Sequence, residues 1–140
     1  MELEWLAGDN VDAESYSWEL TETPAGLVID TRPLVRAVAA DVGNGQDGAV
    51  IARRFHATMA DVIVTVCEHI RRETGLNDVV LSGGVFMNAL LTRIVVQSLS
   101  DKGFCVYRHH KVPANDGGLS LGQLAIAATL AIDGQVDKAG

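Results

Sequence analysis

Val79-Val80-Leu81-Ser82-Gly83-Gly84-Val85-Phe86-Met87-Asn88 passes from three consecutive apolar residues, through a double glycine, to an asparagine suited to capping a helix. The unbroken apolar run predicts a strand of the buried, parallel kind. The helix it opens is predicted from Asn88 to Lys102, with Gly103 where a C-terminal cap belongs. The chain then repeats the unit. Phe104-Cys105-Val106-Tyr107 reads as a strand, and Pro113-Ala114-Asn115-Asp116-Gly117-Gly118 leads into a helix of small apolar residues, Leu121 to Ile132. Two β–α units over 75–140 predict an α/β fold. Its ligand rim would lie at the carboxyl ends of the strands.

Upstream, residues 1–30 are the least regular, a helix end over Met1–Gly8 followed by a hairpin. Tyr16, Trp18 and Leu20 alternate with polar residues, which predicts a half-buried strand. A turn at Pro24-Ala25-Gly26 leads to a second strand, Leu27 to Ile29. Two helices fill 31–74. Asp30 or Thr31 caps the first, which carries Pro33 in its first turn, an apolar face of Leu34, Val35, Val38 and Val42, and an end near Gly43-Asn44-Gly45. Asp47 caps the second, which runs to Thr74 before Gly75. Its core stripe is Val50, Ile51, Phe55, Met59, Val62, Ile63, Val66 and Ile70. The last eight residues are expected to fray.

At 140 residues, 48% hydrophobic and 5% aromatic, the chain predicts one domain with an aliphatic core. A net charge of −7 argues against nucleic acid as a partner, because that affinity rests on Lys and Arg neutralising phosphates. No apolar run is long enough for a membrane span. Cys67 and Cys105 lack metal-like spacing and read as core thiols of a cytoplasmic protein.

The chemistry concentrates in the two loops. Gly83 and Gly84 let a ligand approach the backbone without Cβ obstruction. The amides of the next helical turn would then face an anion, favoured by the helix dipole. Asn88 either caps that helix or reaches a ribose or phosphate; an ordinary tight turn is the plainer alternative. There is no Walker lysine and no G-x-G-x-x-G. Asp116 offers an oxygen suited to Mg²⁺, Mn²⁺ or Fe, yet one carboxylate does not hold a divalent ion. The histidines supply no companions. His56 and His69 lie about 220° apart around one helix. His109 and His110 point to opposite faces. No residue is identified as catalytic.

Leu81 to Asn88, Gly103-Phe104-Cys105-Val106, Val112 to Gly118 and Leu121-Gly122-Gln123 closely resemble the C-terminal region of HypF-type hydrogenase maturation carbamoyltransferases. Arg54-Phe55-His56 and Met1-Glu2-Leu3-Glu4 resemble it too. The resemblance implies the C-terminal subdomain of an actin-like (ASKHA) nucleotide-binding module, an α/β fold whose mixed sheet has helices on both faces, with Gly83, Gly84 and Asn88 against the adenylate. It implies Glu2 near the nucleoside and Asp116 on a divalent metal (Mg, Fe or Zn) shared with the missing subdomain. The parent would form carbamoyl-adenylate from carbamoyl phosphate and ATP. It would then carbamoylate the C-terminal cysteine of a hydrogenase maturation partner, a step toward the cyanide ligand of a [NiFe] hydrogenase.

Acylphosphatase-like, zinc-binding and adenylate-forming domains precede this region in that family. The chain therefore reads as a fragment, partnered by those N-terminal domains and inactive alone. The rival reading is a non-catalytic docking half-module, and a narrower one substitutes a small-molecule hydroxyl as acceptor. An orphaned half-module would expose an apolar patch, so self-association is expected.

Overall fold

The computed structural model describes residues 2–8 and 13–136, with side chains up to residue 130. In chain order the elements are α1 Glu2–Ala7, β1 Glu19–Thr23, β2 Gly26–Asp30, α2 Arg32–Gly43, α3 Gly48–Thr74, β3 Asp78–Leu81, α4 Ala89–Asp101, β4 Cys105–Arg108 and α5 Leu119–Val136. Short 3₁₀ turns, Gly84–Met87 and Asp116–Gly118, precede α4 and α5. The α/β class is present, its strands arranged among the described residues as two separate pairs, β1–β2 and β3–β4.

Length predicts one domain, but the chain forms two compact units. The first joins the residues up to Val79 with Asn88–Val106; the second joins Val80–Met87 with the residues from Tyr107 onward.

In the first unit α3 is the central element and packs on α1, α2 and α4. Asp47 caps it by accepting from the Ala49 amide at 2.7 Å, and Gly75 ends it at φ 74°, a conformation that glycine adopts at little cost. Because three helices cover it, burial spreads beyond the expected stripe: Ala52, His56, Thr58, Ala60 and Val64 are buried with Ile51 and Val62, while Ile70 is exposed. Ala7, Ala52 and Leu90 form one small apolar cluster where α1, α3 and α4 meet, with Ile94 against it.

The hairpin starts later than the alternation suggests. β1 pairs antiparallel with β2 from Glu19↔Asp30 to Thr23↔Gly26. Tyr16 and Trp18 lie before the ladder because α3 claims their polar groups. The Tyr16 amide donates to Thr58 Oγ1 at 2.7 Å, and Trp18 Nε1 donates to Asp61 Oδ2 at 2.8 Å. The Tyr16 hydroxyl donates to Asp41 Oδ2 at 2.7 Å, which also accepts from Arg54 at 2.7 Å, with the guanidinium 4.0 Å over the tyrosine ring. Burial, followed by the Asp41 hydrogen bond, pushes the Tyr16 hydroxyl up to about 12. This brace joins the approach to β1 with α2 and α3. Thr31 occupies the N-cap of α2 without a side-chain bond; Asp30 accepts from the Arg32 amide and guanidinium instead.

The far end of α3 is tied to the α4–β4 turn. Arg71 lies 3.9 Å over the Phe104 ring and donates to the Lys102 carbonyl at 2.9 Å, while Asn77 donates to the Gly103 carbonyl at 2.8 Å. Cys105 is exposed on β4, which corrects its reading as a core thiol. A four-residue strand in a two-stranded pair has too few neighbours to bury both faces. Cys67 is partly buried, and that burial pushes its thiol up.

Candidate functional site

In the first unit, Asn88 caps α4: its Oδ1 accepts from the Leu91 amide at 2.8 Å. Its Nδ2 meets His56 Nε2 at 2.9 Å, and His56 Nδ1 lies 2.8 Å from the Ala52 carbonyl. A carbonyl only accepts, so Nδ1 carries the His56 hydrogen and Nε2 accepts from Asn88. Glu4 Oε1 accepts from the amides of Ala89 at 2.6 Å and Leu90 at 3.2 Å. The first three amides of α4 are thus bound by the chain's own oxygens. The expectation that this turn offers them to a phosphate is corrected, because a carboxylate anchored on α1 already meets the positive end of the dipole.

It is Glu4, not Glu2, whose carboxylate reaches α4 among the described residues. Two residues apart on a helix, they point about 200° apart, and Glu2 stays exposed. No local pattern in the sequence marks a bond that spans 85 residues. In the sequence His56 has no metal partner and reads as structural or solvated; in the fold it is buried and meets the neutral amide of Asn88 on a different element.

The second unit holds the two loops. Gly83, at φ 101°, donates its amide to the Ala114 carbonyl at 2.7 Å. A Cβ on Gly84 would stand 3.9 Å from that of Asn115, so the loops lie side by side. Asn115 Oδ1 accepts from the Gly117 amide at 3.0 Å, shaping the turn that holds Asp116 exposed. A Cβ on Gly118 would come within 3.2 Å of the Pro113 carbonyl, so a larger residue there would have to displace the backbone opposite. Ser82 Oγ and His109 Nε2 are 3.0 Å apart, a pairing hidden in the sequence because the residues sit on different strand ends.

Gly83, Gly84 and Asp116 therefore share one unit, and Asn88 and Glu2 belong to the other. Among the described residues no group of three or more His, Cys, Asp or Glu side chains is placed to hold a metal ion. Asp116 supplies one hard oxygen ligand, which suits a divalent cation but does not by itself make a site. No helix among the described residues is long and apolar enough to cross a membrane.

Similarity to known proteins covers nearly the same span as the motifs. The family model described as the second subdomain of the Kae1-like domain of carbamoyltransferases matches residues 1–123. The chain is 30% identical to the carbamoyltransferase HypF of Synechocystis over 82% of its length, and 35% identical to HypF2 of Cupriavidus necator over 74%. It spans 14% and 12% of those two proteins. Its fold matches a full-length HypF in a phosphate- and nucleotide-bound form, with a TM-score of 0.81 and 40% identity over 92% of this chain and 17% of that one. HypF of T. kodakarensis matches at a TM-score of 0.70 and 27% identity, over 96% of this chain and 17% of that one. The loops, the capped α4 and the helices that carry them thus occur together along one matched span, and the chain belongs to the HypF-type carbamoyltransferase family, in the second subdomain of its Kae1-like domain.

Proposed function

We propose that this segment forms one wall of the nucleotide site of a carbamoyltransferase that makes carbamoyl-adenylate from carbamoyl phosphate and ATP. The carbamoyl group then passes to the C-terminal cysteine of a hydrogenase maturation partner: the thiolate sulfur bonds to the carbamoyl carbon and the adenylate oxygen leaves with AMP. The observation that carries this reading is the 40% identity, over 92% of the chain, to a HypF whose structure is phosphate- and nucleotide-bound. Gly83 and Gly84 would lie along the adenylate, where bare backbone permits close approach. Asp116 would be one ligand of a divalent ion completed by groups outside this segment. When bound, such an ion polarises a carbonyl.

The test is ATP titration of the full-length carbamoyltransferase with Gly84→Ala and Gly84→Val. Gly84 has an ordinary backbone conformation and room for a Cβ, so both variants should fold. The valine branches are expected to weaken ATP binding at least about tenfold, the alanine much less. Equal affinity across all three proteins would refute the placement of Gly84. Asp116→Ala should lose bound metal together with carbamoyl transfer, and full transfer by that variant would remove Asp116 from the site.

A further inference from the structure

We propose that the cleft between the β1–β2 hairpin and the last turns of α3 docks an arginine side chain of a partner protein. Both walls belong to the first unit, and the cleft measures about 360 Å³, within the range of ligand clefts. Its apolar lining is Leu27, half-buried on β2, and Ile70, which remains 42% exposed on α3. Two carboxylates, Glu22 and Glu73, share that lining, and among the described residues no lysine or arginine does. Glu22 Oε1 lies 3.5 Å from His69 Nδ1, a countercharge only while that ring is protonated. Glu73 has no ion pair or hydrogen bond among the described residues. Other occupants leave part of this lining unanswered. An apolar group would strip water from the carboxylates without pairing them. An anion is repelled, and among the described residues no group of three or more His, Cys, Asp or Glu side chains is placed to hold a metal ion. An arginine meets both halves: its methylenes lie along Leu27 and Ile70, and its planar, weakly hydrated guanidinium reaches the carboxylates. The net charge of −7 draws such a basic partner toward the chain.

The experiment is a ligand-detected NMR titration of the full-length protein with the capped peptide Gly-Gly-Arg-Gly-Gly and with its citrulline counterpart, which keeps the shape and loses the charge. The arginine peptide should bind saturably, and the citrulline peptide about tenfold more weakly. Glu73→Gln should weaken arginine binding about threefold to fivefold. Glu14→Gln, which removes the same charge from an exposed residue outside the cleft, should leave it unchanged. Both carboxylates are exposed, so neither substitution disturbs the core. Equal binding of the two peptides overturns the proposal, because the charge is then irrelevant. Equal losses in the Glu73 and Glu14 variants overturn it too, since net charge alone then attracts the peptide. No binding to the wild-type protein also overturns it, and would mean that another segment of the longer protein fills the cleft.

Discussion

Tyr16 ends its side chain on a carboxylate shared with Arg54, and its hydroxyl is raised from 10.0 to about 12. A folded-state pKa above the unfolded one stabilises fully below about pH 10, and the contribution is lost as pH rises through about 12. Denaturant melts of wild type should therefore weaken across that window by about 1–2 kcal/mol, less than the whole shift implies because solvent screens the Asp41–Arg54 end of the brace. Tyr16→Phe should show a flatter profile there and start about 1–2 kcal/mol lower at neutral pH. Parallel alkaline slopes would show that Tyr16 is not the group responsible. The two thiols differ in the same physical terms: Cys105 is exposed, whereas Cys67 is partly buried and its thiol is pushed up. Alkylation followed by mass spectrometry should label Cys105 first, by about tenfold in rate at neutral pH. Neither residue's surroundings can be read from its neighbours in the chain. Thr58 and Asp41 lie far from Tyr16 in sequence, and a strand residue's exposure depends on how many strands flank it.

At the level of elements, helix ends are the most legible. Asp47, Gly75, Asn88 and Gly103 all stand at termini, because capping depends on a residue's own side chain or its own φ. The packing side of α3 is less legible. Periodicity reports one apolar stripe, whereas three helices cover this one and bury small residues between the stripes. Leu99 and Val95 of α4 are fully buried, so Leu99→Ala should cost about 2–5 kcal/mol in urea unfolding. A cost under about 1 kcal/mol would mean that the site collapses around the smaller residue. Gly83 is at φ 101°, so Gly83→Ala should cost about 1–2 kcal/mol even with open space for its Cβ, whereas Gly84→Ala should be near neutral. If the two alanine variants melt together, the loop backbone rearranges at no cost.

For the whole molecule the decisive feature is α5. Leu121, Leu124, Ile126 and Leu130 are all more than half exposed. Apolar surface of that extent favours association, so the isolated chain should show a mass that rises with concentration in light scattering, and Leu124→Lys should shift it toward monomer. A constant monomer mass at all concentrations would refute this. By itself the sequence determined the α/β class, the order of helices and strands, the helix caps, and the two glycine loops with Asp116 between strand and helix. These features follow from side-chain periodicity, capping chemistry and the φ that glycine permits, all of which act within a few residues. Only the tertiary structure decided that Glu4 fills the α4 amides, that His56 answers Asn88, and that the chain gathers into two units. Those outcomes depend on which distant donors and acceptors the packing brings within hydrogen-bond reach of one another, and linear spacing carries no record of that.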